Sequence, residues 1–471
     1  MTSPGVPHWD AWVAGRAAAA VAAAAGSLTR LGLRRGTRVG VDVTLSAAHL
    51  PAGDPDLGVL PLLAAISQLG AVPVPLSAAT TREMRRVLAA CRVDAVLPGS
   101  GMQSLAQPAT GSGAEGDPAG PGPRPGTVQG APGEVIFCVP DGPEGPTCRR
   151  FSPATLIAGA RTLAGHLGLA ADDRMLVRSS PATVAGFCAA LAGLSAGAVI
   201  DLRPGPAEGV IRRCRQDGVS VLVDTPAGFA HLAATRQLGP GGVDAPGVRV
   251  WLGVGPQISP PVVQRLREVL PMADPVLLHG SAEVVATAAV RIDGWDGGAE
   301  LLDTPLPGQT VSVRRPDGTE TDPGEVGELE QSGDLVCDGP PDRPRPGTPV
   351  RTGDLATRSE SGQIRLAGRA DQLIVAGGMR FSPDEVEEVA CASGFVGEAT
   401  AFGITDENQV QQVVLAVTAP LDGRCRLADL DILLREVLPS YMVPSLVVEL
   451  PELPRTGTGA VDRHQLRLVV G

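Results

Sequence analysis

The 471-residue chain contains no lysine: all 39 of its basic side chains are arginine. Surface positions absorb that exchange easily, and the abundance of Ala, Gly and Pro points to a base-composition bias that would produce it. An active site does not absorb it, because arginine is a planar fork that stays protonated whereas lysine is a compact cation on a flexible stem. Lysine chemistry is therefore excluded everywhere in the chain. Aromatics are also scarce, with seven Phe, four Trp and one Tyr, which disfavours an aromatic-lined acyl pocket. The eight cysteines include no C-x-x-C pair, which argues against a zinc knuckle and against a disulfide framework, and predicts reduced thiols in a cytoplasmic protein. A net charge of -12 disfavours nucleic acid and anionic membrane as partners, since both would repel an acidic surface. Met1-Thr2-Ser3-Pro4 lacks a basic n-region. The alanine-rich run Ala17 to Ala25 is too short and weakly apolar to span a bilayer, so neither export nor anchoring is expected.

What is present is apolar patterning. With 43% hydrophobic residues, the chain is long enough for a substantial core split between two or more domains. An amphipathic helix is predicted from Trp9 to Leu33, then strands at Val39–Val43 and Ala71–Leu76 around a helix near Leu57–Leu69. Pro98 to Gly133 is too poor in large apolar groups to pack and reads as a flexible loop. A strand at Val135–Val139, a helix at Thr155–Leu167, and apolar runs at Val199, Val221–Val223 and Val248–Leu252 continue an α/β alternation, as expected of a parallel sheet covered on both faces. Between Pro305 and Arg365 the pattern becomes short alternating strands with Pro-Asp-Gly and Gly-rich turns, predicting a small antiparallel barrel or sheet. A compact α+β region follows from Asp371.

Specific motifs sit on this frame. Arg351-Thr352-Gly353-Asp354, then Gly368-Arg369-Ala370-Asp371, then Arg380 and Glu385-Val386-Glu387, resemble in order the R-T-G-D and G-R-x-D…R…E-V-E signatures of the adenylate-forming superfamily, which comprises acyl-CoA synthetases, peptide-synthetase adenylation domains and luciferases. The likeness extends to Gly70-Ala71-Val72-Pro73, to His279-Gly280-Ser281-Ala282-Glu283, to Gly324-Glu325-Val326-Gly327-Glu328-Leu329 and to Leu438-Pro439-Ser440-Tyr441-Met442-Val443-Pro444. It implies a large N-terminal domain (1–370) of doubly wound α/β subdomains plus a small β-barrel, and a mobile α+β C-terminal domain (371–471). The family reaction has two steps. A carboxylate attacks the α-phosphate of ATP to give an acyl-adenylate, and a thiol of coenzyme A or a pantetheinyl carrier protein then displaces AMP.

By the resemblance, Asp354 accepts hydrogen bonds from the ribose hydroxyls, as suits an acceptor-only carboxylate, with Arg369 near ribose and phosphate. His279 and Gly280 complete the nucleotide site, Glu283 holds Mg2+, a hard cation that takes one or two carboxylates, Asp371 is the interdomain hinge, and Gly377 and Gly378 line the thiol channel.

Two departures cut against ordinary turnover. The phosphate loop, S-G-T-T-G-x-P-K-G in the family, here reads Pro140 to Cys148, with Thr147 in place of lysine, Asp141 and Glu144 bringing negative charge, and three prolines that lack a backbone donor. Gly142 and Gly145 remain in this degenerate loop, and Arg149 and Arg150 follow it as compensating cations or as solvated surface charges. In the C-terminal L-P-x-T-x-x-G-K-x-x-R motif the lysine position holds Ala460, so no catalytic residue is assigned with Arg455 and Arg463 as candidate substitutes. Losing such a preorganised cation costs about 3 kcal/mol of transition-state stabilisation, roughly a hundredfold in rate.

Three readings are open. The favoured one is a homologue that binds nucleotide or acyl-adenylate with ATP-driven adenylation impaired or lost. The others are an active carboxylic-acid-activating ligase, in a biosynthetic pathway, and a transferase that consumes an acyl-adenylate made elsewhere. Partners would be a small carboxylic acid or its adenylate and an acyl carrier protein, with ATP or AMP, Mg2+ and coenzyme A or pantetheine as cofactors.

Overall fold

A computed structural model describes residues 8–30, 33, 35–43, 56–77, 81–97, 133–139, 146–203, 209–234, 245–255, 258, 260–292, 301–302, 305–405, 411–420, 423–456 and 461–470. The expected flexible loop at 98–133 therefore lies outside the described residues except for Gly133. The chain forms two compact units, one of residues 1–204, 280–286 and 332–349, the other of 205–279, 287–331 and 350–471.

The first unit contains α1 (Trp9–Arg30), β1 (Arg38–Asp42), α2 (Leu60–Gln68), β2 (Val72–Leu76), α3 (Thr81–Ala90), β3 (Ala95–Leu97), β4 (Val135–Val139), β5 (Thr147–Phe151), α4 (Pro153–His166), β6 (Arg174–Val177), α5 (Val184–Ala196) and β7 (Val199–Asp201). A three-stranded parallel sheet runs β2-β1-β3. Pro73 and Pro75 are tolerated in β2 because it is an edge strand: the Val72 N–H reaches the Thr37 carbonyl at 2.8 Å, so the odd-numbered positions face away from β1, where a missing N–H costs nothing. β4 and β5 form an antiparallel hairpin with Cys138 opposite Cys148. Helix α4 starts where Ser152 caps it, accepting the Thr155 N–H at 3.1 Å, with Pro153 in its first turn. Helix α5 ends at Gly197, which takes the left-handed conformation (φ 79°) that closes a helix without a Cβ clash.

α1 departs from expectation. It is long and apolar enough, by length and composition, to cross a membrane, which the alanine run alone did not suggest. Its Trp9, Val13 and Leu28 are fully buried and one face packs on α2, while only 33% of the apolar span is buried. Ala17 interrupts its helical geometry (φ -137°, ψ 46°).

The cysteine expectation needs correction. Cys91 and Cys148, 57 residues apart, are joined by a disulfide with Cα atoms 5.7 Å apart. Sequence spacing could not reveal the pair, because only the packing of the α3 terminus against the β4–β5 hairpin brings it together.

The second unit contains α6 (Val210–Asp217), β8 (Val221–Asp224), α7 (Pro226–Ala234), β9 (Val250–Val254), α8 (Pro260–Val269), β10 (Asp274–His279), β11 (Ala288–Arg291), β12 (Leu301–Leu302), β13 (Gln309–Arg314), β14 (Gly327–Gly333), β15 (Val350–Arg358), β16 (Ile364–Arg369), β17 (Ile374–Ala376), β18 (Met379–Phe381), α9 (Pro383–Ala392), β19 (Ala399–Thr405), β20 (Gln411–Val417), α10 (Leu427–Val437), β21 (Leu446–Glu449) and α11 (Arg463–Val470). β8, β9 and β10 are parallel, and β8 and β9 are buried at every position, the signature of strands covered on both faces. The antiparallel sheet β12-β16-β15-β14-β13 has instead strands β14 and β15 that alternate buried and half-buried, with one face packed. This is the predicted change of rhythm. After the β17–β18 hairpin, β19-β20-β21 with α9 and α10 form a small α+β core around Phe381, Val386, Leu415 and Leu430. A capping box starts α9, in which Ser382 and Glu385 each satisfy the other's backbone N–H.

Candidate functional site

The R-T-G-D and G-R-x-D motifs are neighbours on paired strands: Asp354 of β15 faces Arg369 of β16 in register. Gly353 (φ 78°) permits the approach, since a Cβ there would lie 2.9 Å from the Arg369 guanidinium. Arg369 Nη1 donates to Asp354 Oδ1 at 3.0 Å and its Nε to Asp371 Oδ1 at 2.9 Å, so one guanidinium ties the expected ribose acceptor to the expected hinge. On the other side, His279 Nε2 lies 3.3 Å from Asp354 Oδ2. Burial works to raise the Asp354 pKa, but the His279 hydrogen bond and charge, with Arg369 and Thr352, outweigh it and hold the carboxyl below its ordinary value. The result is an ionised carboxylate with both oxygens engaged.

In the first unit, Glu283 lies in the 280–286 segment, which is fixed by the Cys337 N–H to the Glu283 carbonyl at 2.8 Å and by the Val285 N–H to the Leu335 carbonyl at 2.9 Å. Packing allows little play: a Cβ on Gly159 of α4 would meet Val285 at 2.6 Å, and one on Gly280 would meet the backbone of Ala286 at 3.2 Å. The Glu283 carboxylate already has a donor from the fold on each oxygen. Arg149 of β5 donates to its Oε1 from Nε at 3.1 Å and Nη2 at 2.9 Å, and Ser281 Oγ donates to Oε2 at 2.9 Å. Mg2+ does not fit beside a guanidinium that already covers the carboxylate expected to hold it.

Arg150 pairs with the buried Glu134, and its backbone N–H donates to the Gly339 carbonyl at 3.0 Å. Neither arginine is the solvated surface charge that was one of the two expectations, because alternate sides of β5 aim them into carboxylates of the fold. Thr147 opens β5 and is half-buried, while Gly142 and Gly145 lie outside the described residues, as does Ala460.

The two proposed lysine substitutes are both committed. Arg455 pairs with Glu398. Arg463 Nη2 donates to Glu387 Oε1 at 2.8 Å, where the Ala401 N–H also donates at 2.7 Å. Charges of Asp384 and Asp371 also act on Arg463. Gly377 (φ 58°) and Gly378 (φ 79°) form the β17–β18 turn, and a Cβ at Gly377 would lie 3.0 Å from the Tyr441 side chain.

Sequence reasoning passed over the Arg149–Glu283 closure, whose available signal was a pair of arginines on a five-residue strand ending in a buried Phe151. It also passed over Asp384, whose carboxyl is pushed up to about 6, first by burial and then by the Glu387 charge, against the pull of Arg463. A raised carboxyl keeps a proton in the fold that the unfolded chain releases, so it costs stability as pH rises from about 4 through 6. Asp384→Asn should raise the melting temperature at pH 7.5, by an amount worth on the order of 1 kcal/mol, and leave it unchanged at pH 4. Thermal melts at the two pH values check this, and equal shifts at both would refute it.

With this geometry in place, comparison with known proteins is decisive for lineage. The AMP-binding enzyme family model matches residues 151–339, and the AMP-binding enzyme C-terminal domain model matches 385–460. The chain belongs to the adenylate-forming, AMP-binding enzyme family. An indoleacetate–CoA ligase of Aromatoleum aromaticum is 29% identical over 64% of the chain and 60% of that protein. A probable non-canonical nonribosomal peptide synthetase, CymA, of Salinispora arenicola is 29% identical over 65% of the chain and 4% of that protein. Thus the alignments span less than two thirds of these relatives. Among solved structures, the o-succinylbenzoate CoA synthetase of Bacillus subtilis, in complex with its acyl-adenylate intermediate, superposes with a TM-score of 0.75 at 19% identity, covering 98% of both chains. The mixed α/β architecture expected from sequence is that of this family.

Proposed function

We propose that this adenylate-forming enzyme homologue binds a nucleoside monophosphate or acyl-adenylate and does not carry out ordinary ATP-driven adenylation. The observation that carries this reading is the Arg149 and Ser281 closure over both oxygens of Glu283. The sequence supports it twice more, with alanine at position 460 and Asp141 and Glu144 in the phosphate loop. Arg149 supplies one fixed positive charge at the metal carboxylate, less than a divalent ion, and sits as part of the fold. Asp354, Arg369 and His279 serve as the ribose and base side of the site, Gly280 as the backbone position beside it, Asp371 as the hinge at a 370/371 boundary, and Gly377 and Gly378 as the approach for a pantetheine thiol of coenzyme A or a carrier protein. No step is assigned to Mg2+.

A second reading, an active acid-activating ligase or a transferase consuming a ready-made adenylate, is favoured by the relatives, whose names include CoA ligases. Adenylation in the ligase would need a cation that neither Arg455 nor Arg463, paired with Glu398 and Glu387, supplies in the present arrangement, whereas thiol transfer from a ready-made adenylate needs neither missing lysine.

Isothermal titration separates the readings. AMP or a non-hydrolysable acyl-adenylate should bind at least about tenfold more tightly than ATP with Mg2+, an excess of about 1.4 kcal/mol. Chelation of divalent ions should leave AMP binding unchanged. Equal affinity for both nucleotides, or loss of AMP binding on chelation, would sink the proposal.

A further inference from the structure

The second unit gathers four carboxyl groups, Asp354, Asp371, Asp384 and Glu387, around two guanidinium groups, Arg369 and Arg463. Arg369 is shared between Asp354 and Asp371, to which it donates at 3.0 and 2.9 Å. Arg463 is taken by Glu387 at 2.8 Å, and the same Glu387 oxygen accepts the Ala401 N–H at 2.7 Å and the Thr400 hydroxyl at 3.1 Å. Among the described residues, Asp384 is the one acid of the four to which no guanidinium is hydrogen-bonded; its partner is the Ser382 hydroxyl. It sits in the first turn of α9, where the helix dipole favours an ionised acid, yet burial and the Glu387 charge prevail and push its carboxyl up to about 6. Two arginines do not neutralise four acids, and a proton is held most readily on the acid that lacks a cation.

Asp384 also lies beside the strand pair that carries the nucleotide residues. A Cβ on Gly368, the residue before Arg369, would lie 3.2 Å from Asp384 Oδ2, and Gly368 stands opposite Leu355, the neighbour of Asp354, across the β15–β16 pairing. The negative charge of Asp354 already acts on Asp384 in the direction that favours its protonated form. A further negative charge placed at Asp354 and Arg369 acts in the same direction, because partly buried charges are only weakly screened by salt.

We propose that Asp384 is a proton-binding site linked to nucleotide occupancy, so that an anionic adenosine nucleotide seated against Asp354 and Arg369 is bound together with a proton on Asp384. The inference rests on the nucleotide-binding reading above and adds to it a positioning residue that touches no ligand. By linkage, the anion binds most tightly below about pH 6, where Asp384 is protonated in both states, and affinity falls as pH rises through that value until Asp384 is ionised in the bound state as well. His279, the other titratable group beside Asp354, is the competing source of such a dependence.

The test uses adenosine 5′-(methyl phosphate), a diester whose single charge does not titrate in this range, because a phosphate monoester such as AMP itself titrates at about pH 6. Calorimetry of the full chain at about pH 6.5, in two buffers of different ionisation enthalpy, reads the protons taken up on binding. Infrared difference spectra of the same binding read the carbonyl stretch of a protonated carboxyl, which imidazole does not give. If the diester moves the Asp384 midpoint up by roughly a half to one pH unit, it should take up roughly a quarter to a half of a proton, add to the protonated-carboxyl band, and lose roughly two- to sixfold in affinity from about pH 5.5 to about pH 7.5. Neutral adenosine should do none of these. Asp384→Asn and Asp384→Ser should each bind the diester without the uptake and without the band, so the failure of one variant to fold leaves the other. Uptake without a carboxyl band, or uptake and band unchanged in either variant, would overturn the proposal and assign the proton to His279 or to another acid. Diester binding with no proton uptake would overturn it and leave the nucleotide-binding reading standing, whereas no binding of the diester or of adenosine would overturn both.

Discussion

Acid-dependent pyrophosphate release should stay at background in the parent chain and in Ala460→Lys alone, and should rise by at least about tenfold only when the phosphate side is rebuilt with it. Ala460→Lys returns one cation, worth about 3 kcal/mol in a preorganised site. It leaves Asp141 and Glu144 in the segment that matches the phosphate loop, and it leaves Glu283 covered by Arg149. Thr147→Lys, Asp141→Ser and Glu144→Gly supply a second cation, remove like-charge repulsion and restore a flexible position. Arg149→Val then uncovers Glu283 while placing a β-branched residue, favoured in strands, on β5. The uncovered carboxylate keeps its Ser281 hydrogen bond at 2.9 Å, so it is not left bare. The measurement is pyrophosphate release across fatty, aryl and amino acids, comparing the parent, the single variant, the four-residue variant without Arg149→Val, and the five-residue variant. Robust release by the parent would reverse the proposed function. Release restored by Ala460→Lys alone would show that neither the loop acids nor Arg149 obstructs ATP.

The difference between what was legible and what was not follows the distance over which the deciding contacts act. Helix α4 was expected at Thr155–Leu167 and runs Pro153–His166, because its start is set by Ser152 and Pro153, two residues that carry their capping chemistry in their own side chains. The change from fully buried β8 and β9 to alternating β14 and β15 is likewise written in the periodicity of each strand. Asp354 and Arg369 were legible as a pair through ordered motifs 15 residues apart, although the sequence did not show that Arg369 would also hold Asp371. The Arg149–Glu283 pair joins positions 134 residues apart, and no local pattern encodes it. Long-range closure also explains the cysteines. Their spacing argued against disulfides, while the α3 terminus and a hairpin from elsewhere in the chain place three sulfurs together.

Replacing Asp354 should have the largest effect on binding, with Asp354→Ala lowering affinity for AMP by at least about tenfold and destabilising its unit by about 1–3 kcal/mol. Two costs combine. The ribose hydroxyls lose an ionised acceptor, and Arg369 and His279 lose the carboxylate that each now contacts. Arg369 keeps Asp371, which bounds the structural part of the loss. Asp354→Asn separates charge from shape, since its amide oxygen still accepts one hydrogen bond but cannot balance the Arg369 guanidinium. The sign of the pH dependence follows from the depressed Asp354 carboxyl: its stabilisation is fully present above the unfolded value of 3.8 and disappears as pH falls through the lower folded value. Parent and Asp354→Asn should therefore differ in melting temperature at pH 7 and converge towards pH 3. Titration calorimetry with AMP and melts across that range check both parts. Reduced melting with unchanged AMP affinity would place the nucleotide elsewhere and leave Asp354 a purely structural ion pair, whereas lost affinity with little change in melting would make it a ribose acceptor first.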